Sequence, residues 1–495
     1  MNGQINIKQG EKFFTILANT GDNLLENLRA NGISASAPCG GRGTCGKCAV
    51  DTYKDKVLAC QTIIDKDFFD TEINIADTGE MVVLDAYENL HPVICDRGCT
   101  MSYGIAIDIG TTTLAFELLE LATGKRIASH SQINSQREFG ADVMARITNA
   151  VAGEHATLNA CIIKEICNGI LHILAKGNVN ANGLSLITIA GNTTMLHLLL
   201  DLPCDTLGVS PFTPLFIGMK KCAFSELFKT NIVSCDVIIL PGISTFVGAD
   251  ISAGLLLCGW PNSSGTNLLI DLGTNGEMAI FSNEKIIVTS TAAGPAFEAG
   301  NISMGIGSVP GAIAKVNYCP CSSVFNYETI NNENPIGICG TGVVDIAAEL
   351  IRHGLVDETG FIESEEDAVF ITSEISFSQR DIREIQLAKS AVRSGIEILL
   401  DLANVKYDEL CNVYIAGGFG HKINLQNAIK LGLIPAEFEK KVVILGNSSL
   451  GGCAKVLLGQ IYESDILKLV TTAKEVNLAT HPKFNDLFMD YMGME

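Results

Sequence analysis

The chain has 495 residues, which at roughly 150 residues per domain leaves room for about three domains. Its 55 acidic and 34 basic residues give a net charge of −21. That argues against a nucleic-acid or anionic-membrane partner, because both need clustered Lys and Arg. Hydrophobic residues make up 47% and charged residues 18%, a core-forming composition that excludes long intrinsic disorder. No apolar run reaches the roughly 18 residues of a membrane span. Met1-Asn2-Gly3-Gln4 offers neither a basic start nor an apolar stretch, so we expect a cytoplasmic protein with no membrane association. In such a chain, 17 cysteines are expected to be reduced, buried or metal-bound rather than paired.

Residues 5–8 and 13–17 alternate as short strands, and Leu24, Leu25 and Leu28 share one helical face over 23–30. A Gly- and Cys-rich loop follows over 38–48, then short strands are expected at 49–53, 73–76 and 81–84. This order predicts a small α+β domain over 1–88, with 89–102 as a linker. From Tyr103 the pattern becomes alternating α/β. An apolar run ends at Asp108 and passes through Ile109-Gly110-Thr111-Thr112 into a strand at 114–121. A second run ends at Asp271 and passes through Leu272-Gly273-Thr274-Asn275-Gly276 into a strand at 278–281. The two are too far apart for a solenoid period. A duplicated domain is the economical reading, with halves 103–265 and 266–495. Long helices are expected at 142–151, 158–175, 342–353 and 381–402.

Cys39, Cys45, Cys48 and Cys60 are spaced C-x5-C-x2-C-x11-C. The glycines among the first three let a loop wrap tightly around an iron–sulfur cluster and aim backbone N–H groups at its sulfides. Structural zinc usually draws two separated C-x2-C pairs, and this chain offers one. The pattern resembles the [2Fe–2S] ferredoxin family on a β-grasp-like domain, with these four cysteines as ligands. The first gap is one residue longer than the plant-type spacing, as in the adrenodoxin-like branch, and the fourth cysteine arrives earlier. Cys95 and Cys99, Cys319 and Cys321, and Cys339 lack a four-ligand arrangement. Most of the remaining cysteines read as buried small hydrophobes.

A strand ending in Asp-x-Gly-Thr has a physical use. Glycine lets phosphate oxygens approach the backbone, turn N–H groups and Thr hydroxyls donate to them, and the Asp holds Mg²⁺ directly or through water. This assigns Asp108 and Asp271 to Mg²⁺, and Gly110, Thr111, Thr112, Gly273, Thr274 and Asn275 to phosphate. Gly-Thr turns are common singly; two in register carry more weight. In Val413-Tyr414-Ile415-Ala416-Gly417-Gly418-Phe419-Gly420 a strand runs into a double glycine, where adenine or ribose can lie on Gly417 and Gly418. Glu277 is a candidate for orienting a hydrolytic water, or a solvated strand residue. Asp250 is a candidate for positioning Mg²⁺-bound water or the nucleophile, or a helix N-cap. Glu298 could face nucleotide or partner, Asn192 and Thr193 read as a turn, a cap or a site, and His197 as a core histidine.

Together the hairpins and the double glycine resemble the superfamily of acetate and sugar kinases, heat-shock chaperones and actin. The resemblance covers about 103–475. It implies two duplicated ribonuclease-H-like halves with ATP between them. More narrowly, several stretches resemble ATP-dependent reductive activators of corrinoid proteins over nearly the full length. They are Ile189-Ala190-Gly191-Asn192-Thr193-Thr194-Met195-Leu196-His197, Val247-Gly248-Ala249-Asp250, Ala292-Ala293-Gly294-Pro295-Ala296-Phe297-Glu298, Gly337-Ile338-Cys339-Gly340-Thr341-Gly342 and Gln386-Leu387-Ala388-Lys389. That resemblance implies one-electron reduction of cob(II)alamin to cob(I)alamin in a corrinoid protein of a methyltransferase system. It also implies a low-potential electron donor, with a homodimer as one candidate assembly, and a larger middle segment than 89–102 provides. The alternatives are a ferredoxin-fused small-molecule kinase and an ATP-binding redox sensor.

Overall fold

The computed structural model describes residues 2–9, 12–31, 33, 48–52, 54–75, 102–140, 142–364, 366–418 and 423–494. The strand expected at 81–84 and nearly all of the linker lie outside them.

The N-terminal elements are β1 (Asn2–Gln9), β2 (Lys12–Asn19), α1 (Leu24–Ala30), β3 (Ala49–Asp51), β4 (Lys56–Leu58) and β5 (Glu72–Ile75). Asn23 caps α1 by accepting from the Glu26 N–H at 3.2 Å. The sheet runs β2-β1-β5-β3-β4, with β1 and β5 parallel. Strand alternation turns Ile5, Ile7, Ile16, Ala18, Ile73 and Ile75 inward, where Leu24, Leu25 and Leu28 of α1 cover them. This is the expected β-grasp arrangement.

The first half of the larger unit begins with β6 (Tyr103–Ile109), β7 (Thr113–Glu120), β8 (Arg126–Ile133), α2 (Val143–Asn149), α3 (His155–Lys176), β9 (Leu184–Gly191) and α4 (Thr193–Leu199). It continues with α5 (Asp205–Gly208), β10 (Lys220–Ala223), α6 (Phe224–Phe228), β11 (Asp236–Ile239) and α7 (Ala249–Leu257). The second half opens with β12 (Thr266–Leu272), β13 (Gly276–Phe281) and β14 (Ile286–Thr291). An inserted layer follows: β15 (Ala312–Cys319), β16 (Val324–Thr329), β17 (Gly337–Ile338), α8 (Gly340–Arg352), β18 (Ala368–Phe370), β19 (Ser376–Ser378) and α9 (Gln379–Ala403). The half closes with β20 (Leu410–Ala416), α10 (Leu425–Lys430), β21 (Val442–Gly446), α11 (Ser448–Leu457), α12 (Glu463–Thr472), β22 (Ala473–Glu475) and α13 (Phe484–Asp490).

The two sheets run β10-β11-β9-β6-β7-β8 and β21-β20-β12-β13-β14-β22. Five strands correspond. In each half an antiparallel meander is followed, on the side of its first strand, by two parallel strands. The duplication expected from the repeated turn is therefore a duplication of the ribonuclease-H-like sheet. Its central strands are covered on both faces and read as continuous apolar runs. The helical stretch Val143–Lys176 is long and apolar enough to cross a bilayer by length and composition. Leu158, Ile162, Ile166, Ile170 and Ile173, spaced three and four apart, instead belong to the core over the first sheet.

The halves are clasped by α7 and α11. A Cβ at Gly452 would lie 2.0 Å from the Ala253 carbonyl, so these helices touch backbone to backbone. Although α11 follows the second sheet in sequence, its Leu450, Cys453 and Ala454 share the first core with β6 and β9. The Thr188 hydroxyl donates to the Cys453 carbonyl at 3.0 Å.

Candidate functional site

The β6–β7 turn is drawn tight by Gly110, whose N–H donates to the Thr113 carbonyl at 2.9 Å. A Cβ there would sit 2.7 Å from that same oxygen, so the turn admits only glycine. Thr111 accepts at its hydroxyl from Asn192 Nδ2 at 2.9 Å, and Asn192 is the N-cap of α4. Behind the turn lies Arg146 of α2, with no exposed surface. Its guanidinium donates to the Thr111 carbonyl, and to the Gly140 carbonyl at 3.0 Å. Burial brings its pKa down to about 9. The Thr112 carbonyl accepts from the Asn134 N–H at 2.9 Å. In the β12–β13 turn the Gly273 N–H donates to the Asn275 carbonyl at 3.0 Å. There Thr274 donates to Glu298 at 2.8 Å and the Asn275 side chain bonds Glu277.

Both turn aspartates are gripped by one segment at the start of α11. Asn447 Nδ2 and the Ser449 hydroxyl donate to Asp108 at 2.8 and 2.7 Å, and the Ser448 hydroxyl donates to Asp271 at 3.2 Å. Asn447 also caps the helix, accepting from the Leu450 N–H at 2.8 Å. Glu277 lies opposite Asp271 in the β12–β13 ladder. Asp250 sits in the first turn of α7, whose N-cap is Gly248, and accepts from the Ile251 N–H at 2.9 Å. These side chains sit deep in the chain yet each keeps part of its surface exposed.

Burial raises the pKa of Asp108, Asp250, Asp271, Glu277 and Glu298. Mutual repulsion adds to it: Asp108 acts on Asp250, and both Asp250 and Asp108 act on Asp271, pushing Asp250 and Asp271 up to about 7. Among the described residues no cation pairs with these carboxylates. An oxygen-only donor set suits Mg²⁺. Among the described residues no three of them form a ready-made metal cage.

Gly417 closes β20 onto β12: its φ is +100°, and a Cβ would lie 2.3 Å from the Leu272 carbonyl. Gly418 faces open space with no atom within 4 Å of a built Cβ. Phe419 and Gly420 lie outside the described residues. His197 is fully buried; Nδ1–H donates to the Thr193 carbonyl at 2.8 Å and Nε2 accepts from the Leu215 N–H at 3.1 Å. That is a satisfied core histidine.

In the N-terminal domain the antiparallel pairing of Ala49 with Leu58 brings Cys48 and Cys60 together. Both are buried and their sulfurs lie 3.2 Å apart. The Ala59 N–H donates to the Cys48 carbonyl at 2.9 Å. Two thiols brought together from positions 12 apart can supply two of the four thiolates that an iron–sulfur centre takes. Cys39 and Cys45 lie outside the described residues.

Asn447, Ser448, Ser449 and Arg146 were not anticipated from sequence. One signal was available. Gly446-Asn447-Ser448-Ser449 repeats the grammar of Gly191-Asn192-Thr193-Thr194: a strand ending in glycine, an asparagine cap, then two hydroxyls. Both asparagines donate to the first hairpin, to Thr111 and Asp108 respectively.

The fold and site define a ferredoxin domain joined to a nucleotide-binding unit of the actin and sugar-kinase type. Family models agree. The 2Fe-2S iron-sulfur cluster binding domain matches 7–71, the RACo middle region 103–263, and the C-terminal domain of RACo, the ASKHA domain, 265–495. The larger middle segment expected between the two domains is thus matched by the first half of the duplicated unit. The chain is 32% identical over 454 residues to the corrinoid activation enzyme RamQ of Eubacterium limosum, covering 83% of this chain and 75% of that one. It is 25% identical over 420 residues to the Co(II) methylated amine-specific corrinoid protein reductase of Methanosarcina barkeri, covering 78% and 76%. The solved reductive activator for corrinoid, iron-sulfur protein superposes with a TM-score of 0.71 at 25% identity, covering 99% of this chain and 98% of that one. The chain belongs to the family of reductive activators of corrinoid proteins.

Proposed function

We propose that this protein is the ATP-dependent activator of a corrinoid protein in a methyltransferase system, acting in the cytoplasm and returning cob(II)alamin to cob(I)alamin. The observation that carries the proposal is the union in one chain of a converging thiol pair with a carboxylate cluster whose two turn aspartates share one grip. Cys39, Cys45, Cys48 and Cys60 hold a [2Fe–2S] cluster, which supplies a one-electron donor near about −400 mV if it is of plant type. A low-potential donor protein refills it. Asp108 and Asp271 anchor Mg²⁺, while Gly110, Thr111, Thr112, Gly273, Thr274 and Asn275 receive the phosphates. Gly417 and Gly418 border the adenosine, and Glu277 and Asp250 position the attacking water.

ATP has a thermodynamic task here. An acceptor about 100–200 mV below the donor makes the electron step uphill by roughly 2–5 kcal/mol. A coupling free energy between sites of ordinary size, about 1–3 kcal/mol, covers much of that. The Asn447–Ser449 segment binds one aspartate from each half. It therefore registers how the halves sit around the nucleotide.

The test is anaerobic mixing with a corrinoid protein and reductant, with and without ATP, following the cobalt visible spectrum. ATP should raise the rate or extent of Co(II) reduction. Cys45→Ser should stop reduction by the physiological donor and leave ATP binding intact. Reduction indifferent to ATP would overturn the activator reading in favour of a sensor, and a phosphorylated small-molecule product would favour a kinase.

A further inference from the structure

The β15–β16 hairpin ends in Cys319-Pro320-Cys321-Ser322-Ser323, outside both sites described above. The ladder closes at the pair Cys319 and Val324. The turn is completed by the Ser322 N–H donating to the Cys319 carbonyl at 3.3 Å and by Ser323 in the left-handed region, φ +53°. Cys321 is exposed and Cys319 half-buried, with their sulfurs 2.8 Å apart. A disulfide bond needs about 2.05 Å, so closure requires only a small movement of an exposed tip.

The rest of the hairpin is anchored. The Tyr318 N–H donates to Glu349 at 2.7 Å, the Tyr318 ring packs against Phe325 and His353, and Lys315 pairs with Glu328 across the strands at 2.8 Å. The Cys319 sulfur faces the Cys321 thiol, the Ser322 hydroxyl, and the Ser322 and Cys321 N–H groups. These hydrogen bonds, the Cys321 thiol first, lower its pKa to about 7. Among the described residues no third His, Cys, Asp or Glu joins the pair as a metal-holding group.

We propose that Cys319 and Cys321 form a surface dithiol that exchanges with disulfides and closes reversibly to an intramolecular disulfide. The Cys319 thiolate attacks one sulfur of an external disulfide, whose S–S bond breaks and whose other half leaves as a thiolate. Cys321, giving up its proton, then attacks the Cys319 sulfur of the mixed disulfide and expels the second half. The pair is oxidised by two electrons, and the external disulfide, with two protons, becomes two thiols. A two-electron couple has no place in a one-electron path to cobalt, so this site stands apart from the proposed activity and does not rest on it.

The experiment equilibrates the anaerobically purified full chain in mixtures of reduced and oxidised glutathione, then quenches with acid, alkylates and weighs the hairpin peptide. The peptide should become two hydrogens lighter as the oxidised share rises. Exposed Cys411 serves as the reference thiol within the same molecule. Cys321→Ser should trap one glutathione on Cys319. At pH 7, Cys319 should alkylate roughly fivefold faster than a thiol of ordinary pKa, since its larger thiolate fraction outweighs its lower nucleophilicity. Alkylation of both thiols at every glutathione ratio, two separate glutathione adducts, or protection relieved by a chelator would each overturn the proposal.

Discussion

The two phosphate-type hairpins share a strand, an Asp-x-Gly-Thr turn and a place in equivalent sheets, yet their surroundings have opposite character. Behind the first turn stands the buried Arg146 guanidinium, and Asn192 donates to Thr111. Around the second, Thr274 bonds Glu298, Asn275 bonds Glu277, and Asp271 lies opposite Glu277, where Asp108 lies opposite Ala115. A positive, donor-rich turn suits an anion, whereas an acid-lined turn suits a cation and its waters. Duplication has kept the backbone and changed what surrounds each turn.

The largest effects should come from the aspartates themselves. Asp271→Asn is expected to lower ATP turnover at least about a hundredfold, measured as phosphate release, with the visible spectrum of the N-terminal domain unchanged. Normal turnover in that variant would make the second turn merely structural. Glu277→Gln should lower kcat by about tenfold to a hundredfold with little change in nucleotide KM. Arg146→Met should do the reverse, raising KM more than it lowers kcat. It should also cost about 2 kcal/mol in urea unfolding, because the Thr111 and Gly140 carbonyls lose their donor. If both variants changed KM and kcat alike, the division between the hairpins would be lost.

What was legible in the sequence was local. Strand, acid, Gly-Thr and strand lie within one short segment, so both turns could be read from periodicity and turn chemistry alone. The cysteine spacing was legible for the same reason. Long helices followed from their repeat, as in α9, which runs a few residues beyond the 381–402 expected from pattern. Asn447 and Asp108 are 339 positions apart, and no local rule connects them. The repeated Gly-Asn followed by two hydroxyls was visible, but its meaning required the two sheets to be placed side by side. Arg146 lies within the helix expected at 142–151; only the packing of α2 behind the first turn gives it a role.

A smaller effect separates the two asparagine caps. Asn192→Ala and Asn447→Ala each remove a helix N-cap and should each cost about 1 kcal/mol in chemical unfolding. Only Asn447→Ala also releases Asp108. It should therefore lower ATP turnover further at equal loss of stability, by several-fold. Unchanged turnover in Asn447→Ala would mean that the α11 grip has no part in catalysis.

The smallest effect is expected from protonation of His197 in α4, directly behind the Asn192 turn. Burial lowers its pKa below the ordinary 6.5, and the neutral ring satisfies both neighbours by donating to the Thr193 carbonyl and accepting from the Leu215 N–H. A proton on Nε2 would break the second bond and leave a charge in the core. The unfolded chain takes up that proton more readily than the folded one. The contribution of the neutral ring is thus complete above about pH 6.5 and is lost as pH falls from there toward the depressed folded value. The buried carboxylates titrate in the opposite sense, so the effect must be read as a difference between two proteins. Thermal unfolding at pH 7.5 and 5.5 should show the wild type losing roughly 1–2 °C more on acidification than His197→Gln. Equal losses would mean that His197 does not change its protonation on unfolding.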